Sequence, residues 1–484
     1  MLSAPRGSAS VAGALRATVQ FPRRVGLAAA ALGVALALLP LSWAAALLGG
    51  GAAALLLLSR THLALPLLAF AIPFGSLWEV EAGVVSVGAT EAVLIAVLAV
   101  WAAGLGAERR VPAKPPLAIP LLLFWVVLAL SVVAAGSLAL SLKGLLVWLE
   151  VVLVYWIAYD WLDLPRARGL AAAMILAASL EAGLGGMEFL RGTGPEAFAL
   201  PGGFSRASGT FGQPNPFGGY LAMVLPISLA LSLGPTHGLP RWVRGLALAG
   251  VAFLGGGLLA SWSRGAWLAA GAASMVVAAG GVISRTFDRL RALATAGLVA
   301  AAAGLAIVTG GRLLGTIAGR LGELIPYIGA GDVRYLAVTE ENFALVDRLA
   351  HWQAAVAMVS NNPILGVGIG NYPAAYPQFA VPGWPDALGH AHNYYLNVAA
   401  EAGLLGLAGY LSLWVGIALL AWRALRRARG GWRPLGLGAA AGLAALAVHS
   451  GFDNLFVHGL NIQFALLVAL VAAAARDRPR GVRG

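Results

Sequence analysis

The chain has 484 residues, of which 60% are hydrophobic and 11% are charged, and its net charge is +12. Soluble domains carry about 25% charged residues, so a soluble fold of this length could not bury so much apolar surface. The basic residues lie in short clusters between apolar runs, which is typical of membrane topology signals and argues against a nucleic-acid partner. There is no cysteine, which excludes disulfides and thiolate metal sites.

Apolar segments long enough to cross a bilayer recur along the whole chain. They predict an all-α fold, a polytopic membrane helical bundle of about 12–14 transmembrane helices. The second and third segments are short and interrupted by Gly or Pro, which is why the count is a range. The candidate spans lie near 25–42, 43–59, 62–77, 88–106, 117–136, 141–159, 169–188, 214–233, 243–261, 265–283, 291–309, 394–421, 435–452 and 461–475.

The distribution of positive charge predicts the orientation. If the N-terminus is cytoplasmic and every segment spans, most of the 32 Lys and Arg fall on the cytoplasmic side, with the strongest cluster between 423 and 433. This bias follows the positive-inside rule, so both termini are expected in the cytoplasm. The domains predicted on this basis are 1–200, N-terminal transmembrane helices; 201–309, transmembrane helices with Arg-bearing outer turns; 310–393, a large outer loop; and 394–484, C-terminal transmembrane helices and a basic cytoplasmic tail.

The outer loop is the only long one, and long loops are usually functional or locally structured. The stretch Asp347–Ser360 has helical character, while Asn362-Pro363 and Pro382-Gly383 indicate turns. We therefore expect a small, partly helical cap over the outer face.

Eight Lys and Arg residues fall on the outer face against the charge bias, and three arginines among them stand in motifs that could form a site: Arg206, Arg264 and Arg348. Arginine is always charged and offers a planar fork of donors that fits phosphate oxygens. Several such side chains converging at a membrane surface would clamp a pyrophosphate. Alternatively, each is an interfacial anchor or pairs with a nearby acid, as Arg348 could with Asp347.

A histidine-rich segment closes the outer loop and opens the next membrane helix. His390 and His392 are followed by Asn393. An imidazole can take a proton from a hydroxyl near neutral pH, and a helix N-terminus favours its neutral form. The two histidines could instead bind a metal, but no carboxylate cluster in the sequence supports this, and a polar segment capping the helix is the simpler alternative.

Acidic residues inside or beside membrane helices are candidates for function. Glu401 follows the histidine segment, although a hydrogen bond to a loop would also explain it. His449 and Asp453 are four residues apart near the last outer turn, where they could line the same cavity or cap two helices. The sequence has no Walker motif, dinucleotide fingerprint or zinc motif, so no cofactor and no metal are expected.

Taken together, these motifs resemble the O-antigen ligase and O-antigen polymerase superfamily of membrane glycosyltransferases. The resemblance covers about 200–460. Four pieces carry it, in the expected order: Arg206 with Gly209-Thr210-Phe211-Gly212-Gln213-Pro214-Asn215; Ser263-Arg264-Gly265; Arg348 and Trp352 with Asn362-Pro363-Ile364-Leu365-Gly366-Val367-Gly368-Ile369-Gly370-Asn371-Tyr372; and His390-Ala391-His392-Asn393 with Glu401-Ala402-Gly403-Leu404-Leu405-Gly406.

The resemblance implies an enzyme of the bacterial inner membrane whose active face is periplasmic, so that 310–393 would be a large, partly helical periplasmic loop. It implies an undecaprenyl-pyrophosphate-linked glycan as donor and lipid A-core, or another glycan, as acceptor, with neither metal nor nucleotide sugar. Arg206, Arg264 and Arg348 would hold the donor pyrophosphate and His392 would be the base. Asn215, His390, Asn393, Glu401 and Asp453 would support them.

Two further classes of protein remain as alternatives. A lipid or glycolipid transporter also carries intramembrane charge, but it predicts charged or broken helices near the midplane, often in repeated halves, which the sequence lacks. A structural membrane scaffold would leave the outer arginines and the histidine segment without a role. Within the family, a polymerase would use a second lipid-linked glycan as the acceptor.

Overall fold

The computed structural model describes residues 51, 59–82, 85–234, 240–287, 332–339 and 342–476. Three predicted spans, near 25–42, 43–59 and 291–309, lie wholly or almost wholly outside these residues. The described residues from 59 to 476 belong to one compact unit.

Helices dominate the described residues. The α-helices are α1 Ala64–Ala71, α2 Ala89–Glu108, α3 Ala118–Ser131, α4 Leu138–Trp161, α5 Leu164–Arg191, α6 Pro214–Leu233, α7 Arg241–Ala260, α8 Arg264–Ile283, α9 Phe343–Asn361, α10 Tyr372–Phe379, α11 Tyr394–Arg427, α12 Trp432–His449 and α13 Leu460–Ala474. Short 3₁₀ helices lie at Thr61–Leu63, Ile72–Leu77, Val132–Ala134, Glu196–Phe198, Gly209–Phe211 and Val333–Tyr335.

Two small antiparallel hairpins, which the sequence did not predict, accompany the helices. Strands β1 Glu79–Ala82 and β2 Val85–Gly88 pair with each other, as do β3 Ala199–Leu200 and β4 Phe204–Ser205. The second hairpin lies just before Arg206 and so helps to fix the position of that residue.

The lengths of the helices confirm the all-α, polytopic membrane fold. Seven described helices are long and apolar enough to cross a membrane, namely α2, α4, α5, α6, α7, α8 and α11. Their ends carry ordinary stop and start signals. The side chains of Ser137, Asp163 and Ser263 each accept a backbone N–H in the first turn of the following helix, and Gly192 ends α5 in a left-handed conformation.

Helix α6 is the centre of the bundle. It packs against α7, α8 and α12, and nearly all its residues are buried. Small residues permit the close approach: a Cβ on Gly442 of α12 would lie 2.4 Å from the carbonyl oxygen of Met223 in α6. Such small-residue contacts are how helices associate in lipid, where burial of apolar surface gives little driving force. Because α6 is fixed on three sides, Asn215 in its first turn has a defined position.

Helix α11 is interrupted within its first third. Gly403 has φ +67° and ψ −170°, which breaks the helical ladder. The loop after α9 fills the break: the amides of Val367 and Gly368 donate to the carbonyl oxygens of Ala400 and Glu401, and the amide of Leu404 donates to that of Pro363. The glycine-rich motif after Asn362 is therefore a docking loop that fastens the outer cap to α11.

The cap is partly helical, as predicted. The helix expected at Asp347–Ser360 is observed as α9, Phe343–Asn361, and α10 follows it. The buried ring of Tyr372 joins the two, because its hydroxyl donates to the carbonyl oxygen of His351 (3.0 Å). The cap thus brings α9, with Arg348, toward the start of α11.

Candidate functional site

The three outer-face arginines line one cavity of about 330 Å³. Arg206 comes from the segment after β4, Arg264 is the first residue of α8, and Arg348 lies on α9. All three side chains are half-buried, so they are partly desolvated yet open to a ligand. The fold therefore brings together three arginines that are far apart in the sequence, and their guanidinium groups surround one space.

Arg206 is held by the carbonyl and amide groups around it. Its Nε donates to the carbonyl oxygen of Ser261 (3.2 Å), and its Nη2 donates to Oδ1 of Asn215 (3.4 Å). The guanidinium also lies over the ring of Phe198, 5.8 Å from the centroid. These contacts fix the direction of the side chain without neutralising its charge.

Two carboxylates of α5 hold the turn that follows Arg206. Glu188 accepts hydrogen bonds from the amides of Ser208 and Gly209 (2.9 and 2.8 Å) and from the Ser208 hydroxyl. Glu181 accepts from the amide of Thr210 (2.6 Å). The acids of α5 therefore shape the loop of the site.

Arg264 is the first residue of helix α8, so its charge lies at the positive end of the helix dipole. Ser263 caps α8, and its hydroxyl donates to Oδ1 of Asn215 (2.9 Å). Trp262, which also lines the cavity, has φ +53°, so the turn between α7 and α8 is sharp. The free amides of the first turn of α8 add a partial positive charge to that of Arg264. The cavity is thus suited to an anion.

Asn215 links the cavity to the histidine segment. Its Oδ1 accepts from Arg206 and Ser263, while its Nδ2 donates to Oδ2 of Asp453 (2.6 Å). The other carboxylate oxygen of Asp453 lies 3.3 Å from Nδ1 of His392. A continuous chain of side-chain hydrogen bonds therefore joins an arginine of the cavity to His392.

The hydrogen bonds of this segment define the tautomers of both histidines. An ionised Asp453 can only accept, so Nδ1 of His392 carries the proton and Nε2 presents its lone pair. That Nε2 is buried and has no hydrogen-bond partner among the described residues. His390 accepts the amide of His392 at Nδ1 (3.1 Å), so its own proton is on Nε2, 3.6 Å from Asp453. His392 itself has φ +50°, an uncommon backbone conformation that points to a constrained site.

The electrostatics favour an ionised Asp453 carboxylate beside a neutral His390 imidazole. Burial alone raises the pKa of Asp453, but the hydrogen bond from His392 and the nearby His390 and Arg348 outweigh it, and its pKa lies well below the ordinary value. Burial lowers the pKa of His390 to about 4, although Asp453 opposes the shift. Asp453 is therefore charged and His390 is neutral at physiological pH.

The same side chains are close enough to hold a metal ion. His390, His392 and Asp453 form one group and Asp347, His351 and His392 another, each with ligand atoms within 4.8 Å of one another. The carboxylate that the sequence did not associate with the two histidines is Asp453, which lies about sixty residues later. Both carboxylate oxygens of Asp453 already accept hydrogen bonds, so the first group also suits a histidine–aspartate pair without a metal.

His351 is a neighbour that sequence reasoning missed. It is fully buried on α9, stacks on Tyr376, and its ring centroid lies 5.4 Å from that of His392. Its Nε2 is 3.6 Å from Asp347, one helical turn earlier. That i, i+4 spacing of Asp347 and His351 beside Arg348 was the available signal.

Two of the predicted supporting residues have structural contacts. Asn393 caps α11, since its side chain accepts from the amide of Leu396 (3.1 Å). Glu401 is buried and accepts from the amide of Tyr372 (3.2 Å), which fastens the docking loop. Among the described residues it makes no hydrogen bond with His392. His449, which the sequence left as a cap or a cavity residue, lines the arginine cavity.

The family comparison agrees with this geometry. The O-antigen ligase family model matches residues 248–411, about a third of the chain. This segment is similar to an O-antigen ligase domain. The resemblance to the O-antigen ligase superfamily is thereby confirmed, and the family indicates a glycosyl-transferring membrane enzyme. A search of curated proteins gave no match.

The matched O-antigen ligase segment contains Arg264, Arg348 and His392 but not Arg206, Asn215 or Asp453. Those three residues come from before and after the segment, and they contact Ser261, Ser263 and His392 within it. The candidate site therefore extends beyond the matched segment on both sides.

Proposed function

We propose that the protein transfers a glycan from undecaprenyl pyrophosphate to an acceptor hydroxyl, as an O-antigen ligase-type glycosyltransferase. The observation that carries the proposal is the single cavity lined by Arg206, Arg264 and Arg348, joined through Asn215 and Asp453 to His392. Cationic side chains on one side and an oriented imidazole on the other are what this reaction requires.

The arginines would act on the leaving group. As the bond between the anomeric carbon and the phosphate oxygen breaks, negative charge builds on the pyrophosphate. Guanidinium groups fixed before the reaction stabilise that charge, with a contribution of about 3–4 kcal/mol for one well-placed donor. Because the site already supplies three such groups, the reaction is proposed to be metal-independent.

His392 would act on the acceptor. Its Nε2 takes the proton of the attacking hydroxyl while the oxygen bonds to the anomeric carbon, and undecaprenyl pyrophosphate leaves from the opposite side. The outcome of this direct displacement is inversion at the anomeric carbon. Asp453 holds the tautomer in which Nε2 is unprotonated and stabilises the imidazolium that forms.

We propose lipid A-core as the acceptor, at the periplasmic face of the inner membrane, with both termini cytoplasmic. The positive-inside bias and the location of the arginine cavity at the predicted outer ends of α6, α7 and α8 support this orientation. A polymerase would use the same donor site and differ only in accepting onto a second lipid-linked glycan.

The test is glycan transfer by the purified protein in nanodiscs, with a defined lipid-linked donor and each candidate acceptor. We expect Arg264→Gln to lower turnover about 10²–10³-fold, from the loss of one donor to the leaving group. Arg264→Lys keeps the charge but loses the fork, and we expect a smaller loss. Arg191→Gln, an exposed predicted outer arginine that does not line the cavity, is the matched control.

Acceptor choice is read in the same assay. Transfer to lipid A-core and not to a second lipid-linked glycan supports the ligase, and the reverse result supports the polymerase. Undiminished turnover in both Arg264→Gln and His392→Ala would refute the proposed mechanism.

A further inference from the structure

A second cationic cavity lies at the opposite end of the bundle. Its volume is about 420 Å³, and it is bounded by the last turn of α11, the turn into α12 and the end of α13. Among the residues that the structure describes, no acidic residue lines it. Five arginines do: Arg426, Arg427, Arg429, Arg433 and Arg476.

Backbone carbonyl groups, not carboxylates, position two of these arginines. Arg433 donates to the carbonyl oxygens of Ala428 (3.1 Å) and Arg285 (3.4 Å). Arg476 donates to those of Leu162 and Tyr159, and its guanidinium lies over the Tyr159 ring. Carbonyl groups orient a guanidinium but leave its full charge in place.

Four of the five arginines of this cavity have no acidic partner among the described residues. In the part of the chain that the structure describes, Arg426, Arg429, Arg433 and Arg476 form no ion pair. Several unit charges of one sign at such distances repel one another, and the repulsion grows as water is excluded. A bound polyanion would relieve it.

Two other arginines at this end of the bundle are paired with acidic residues. Arg110 pairs with Asp160 (2.9 Å) and Arg166 with Asp163 (3.7 Å). A topology signal requires only that cations be present, and those two satisfy it while neutralised. In the second cavity, several arginines without a described acidic partner instead surround one space.

An apolar path leads along the surface of α11 to this cavity. Leu411, Val415, Leu419 and Trp422 recur every three or four residues, and each is 44–60% exposed. The next residue on that face is Arg426, whose guanidinium lies 5.6 Å from the centroid of the Trp422 ring. A tryptophan at the end of a lipid-facing stripe marks headgroup depth. The cavity is therefore reached from the bilayer.

We propose that this second cavity binds the phosphate headgroup of an anionic phospholipid from the predicted cytoplasmic leaflet. The acyl chains of the lipid would lie along the apolar stripe of α11. The cavity supplies donor forks that match phosphate oxygens, and the stripe supplies the surface for the chains. This favours a lipid over free phosphate, which would use only the cavity. The proposal does not depend on the function of the outer site.

The experiment measures thermal unfolding of the full chain in a neutral detergent during titration with dioctanoyl-phosphatidylglycerol. Dioctanoyl-phosphatidylcholine, inorganic phosphate and inorganic pyrophosphate are titrated in parallel. The test variant is Arg426→Gln with Arg429→Gln, because neither side chain holds another element in place. The control variant is Arg241→Gln with Arg423→Gln, which removes the same charge from the same end of the bundle outside the cavity.

We expect phosphatidylglycerol to stabilise the wild type and the control, and its affinity to fall about 30-fold in the test variant, from the loss of two headgroup contacts. Equal losses in both variants would mean general surface charge and would overturn the site. Stabilisation by phosphate or pyrophosphate as strong as by the lipid would overturn the lipid assignment, and so would an equal response to phosphatidylcholine.

Discussion

Replacing Asp453 with asparagine tests the link between the arginine cavity and His392. The carboxylate accepts from Asn215 Nδ2 (2.6 Å) and from His392 Nδ1 (3.3 Å). An asparagine has one acceptor oxygen, so its NH₂ group must face one of these two donors. If it faces His392, the imidazole proton moves to Nε2, where it blocks the removal of the acceptor's proton.

The size of the effect follows from the bond that is lost. A hydrogen bond to a charged group contributes about 1.5–3 kcal/mol, and here it strengthens as the imidazolium forms. That loss of transition-state stabilisation corresponds to a fall in kcat of about 10–150-fold. The KM for the lipid-linked donor should change less, since the three arginines remain.

The assay is steady-state transfer by folded protein, with kcat and KM determined separately. Glu401→Gln is the matched control, because Glu401 is also a buried carboxylate but holds the docking loop by accepting from the amide of Tyr372. Glu401→Gln should lower the temperature of unfolding but change kcat little. An Asp453→Asn protein that stays folded with kcat within about twofold of wild type would refute the role assigned to this residue.

Three further perturbations give separable results. Glu188→Gln should loosen the turn at 208–209 that follows Arg206 and raise the KM for the donor several-fold with a smaller change in kcat, as measured by steady-state transfer. A Cβ on Gly403 would lie 2.1 Å from the carbonyl oxygen of Ile364 at φ +67°, so Gly403→Ala should lower the unfolding temperature, whereas Gly255→Ala, in open space within α7, should not. The pKa of His390 is about 4 in the folded protein and near 6.5 in the unfolded chain, so only the unfolded chain takes up this proton between those pH values. The free energy of unfolding should therefore fall as pH falls from about 6.5 to 4, by about 3 kcal/mol at most. His390→Asn should flatten that slope in pH-dependent unfolding.

Hydropathy and charge bias were enough to predict the membrane class and most helices, because a span must be long and apolar whatever its neighbours are. The helix around Asp347–Ser360 was also predicted, since its pattern is local. The interruption at Gly403 was not, because it depends on the docking of a loop that lies about forty residues earlier. Local sequence gives no sign of such a partner.

The candidate site shows the same limit. Arg206, Arg264 and Arg348 stood out because each violates the charge bias on its own. Their convergence on one cavity, and the bridge from Asn215 to Asp453, depend on how α6 packs against α8 and α12. Asp453 was a predicted supporting residue, but its direct contact with His392 depends on the fold.

The interruption of α11 also separates two mechanical tasks. Its first turns are tied to the rest of the outer face, since the amide of Tyr394 donates to the carbonyl oxygen of Ser450 (2.7 Å) and the docking loop occupies the gap. The segment from Leu404 to Arg427 exposes one apolar face and ends among the arginines of the second cavity. A long helix meets a change in bilayer thickness by tilting or bending, and bending concentrates where the ladder is already open. We therefore expect the segment from Leu404 to Arg427 to tilt with the bilayer while the imidazole of His392 stays in place. The proposed transfer reaction should then depend little on the thickness of the surrounding lipid.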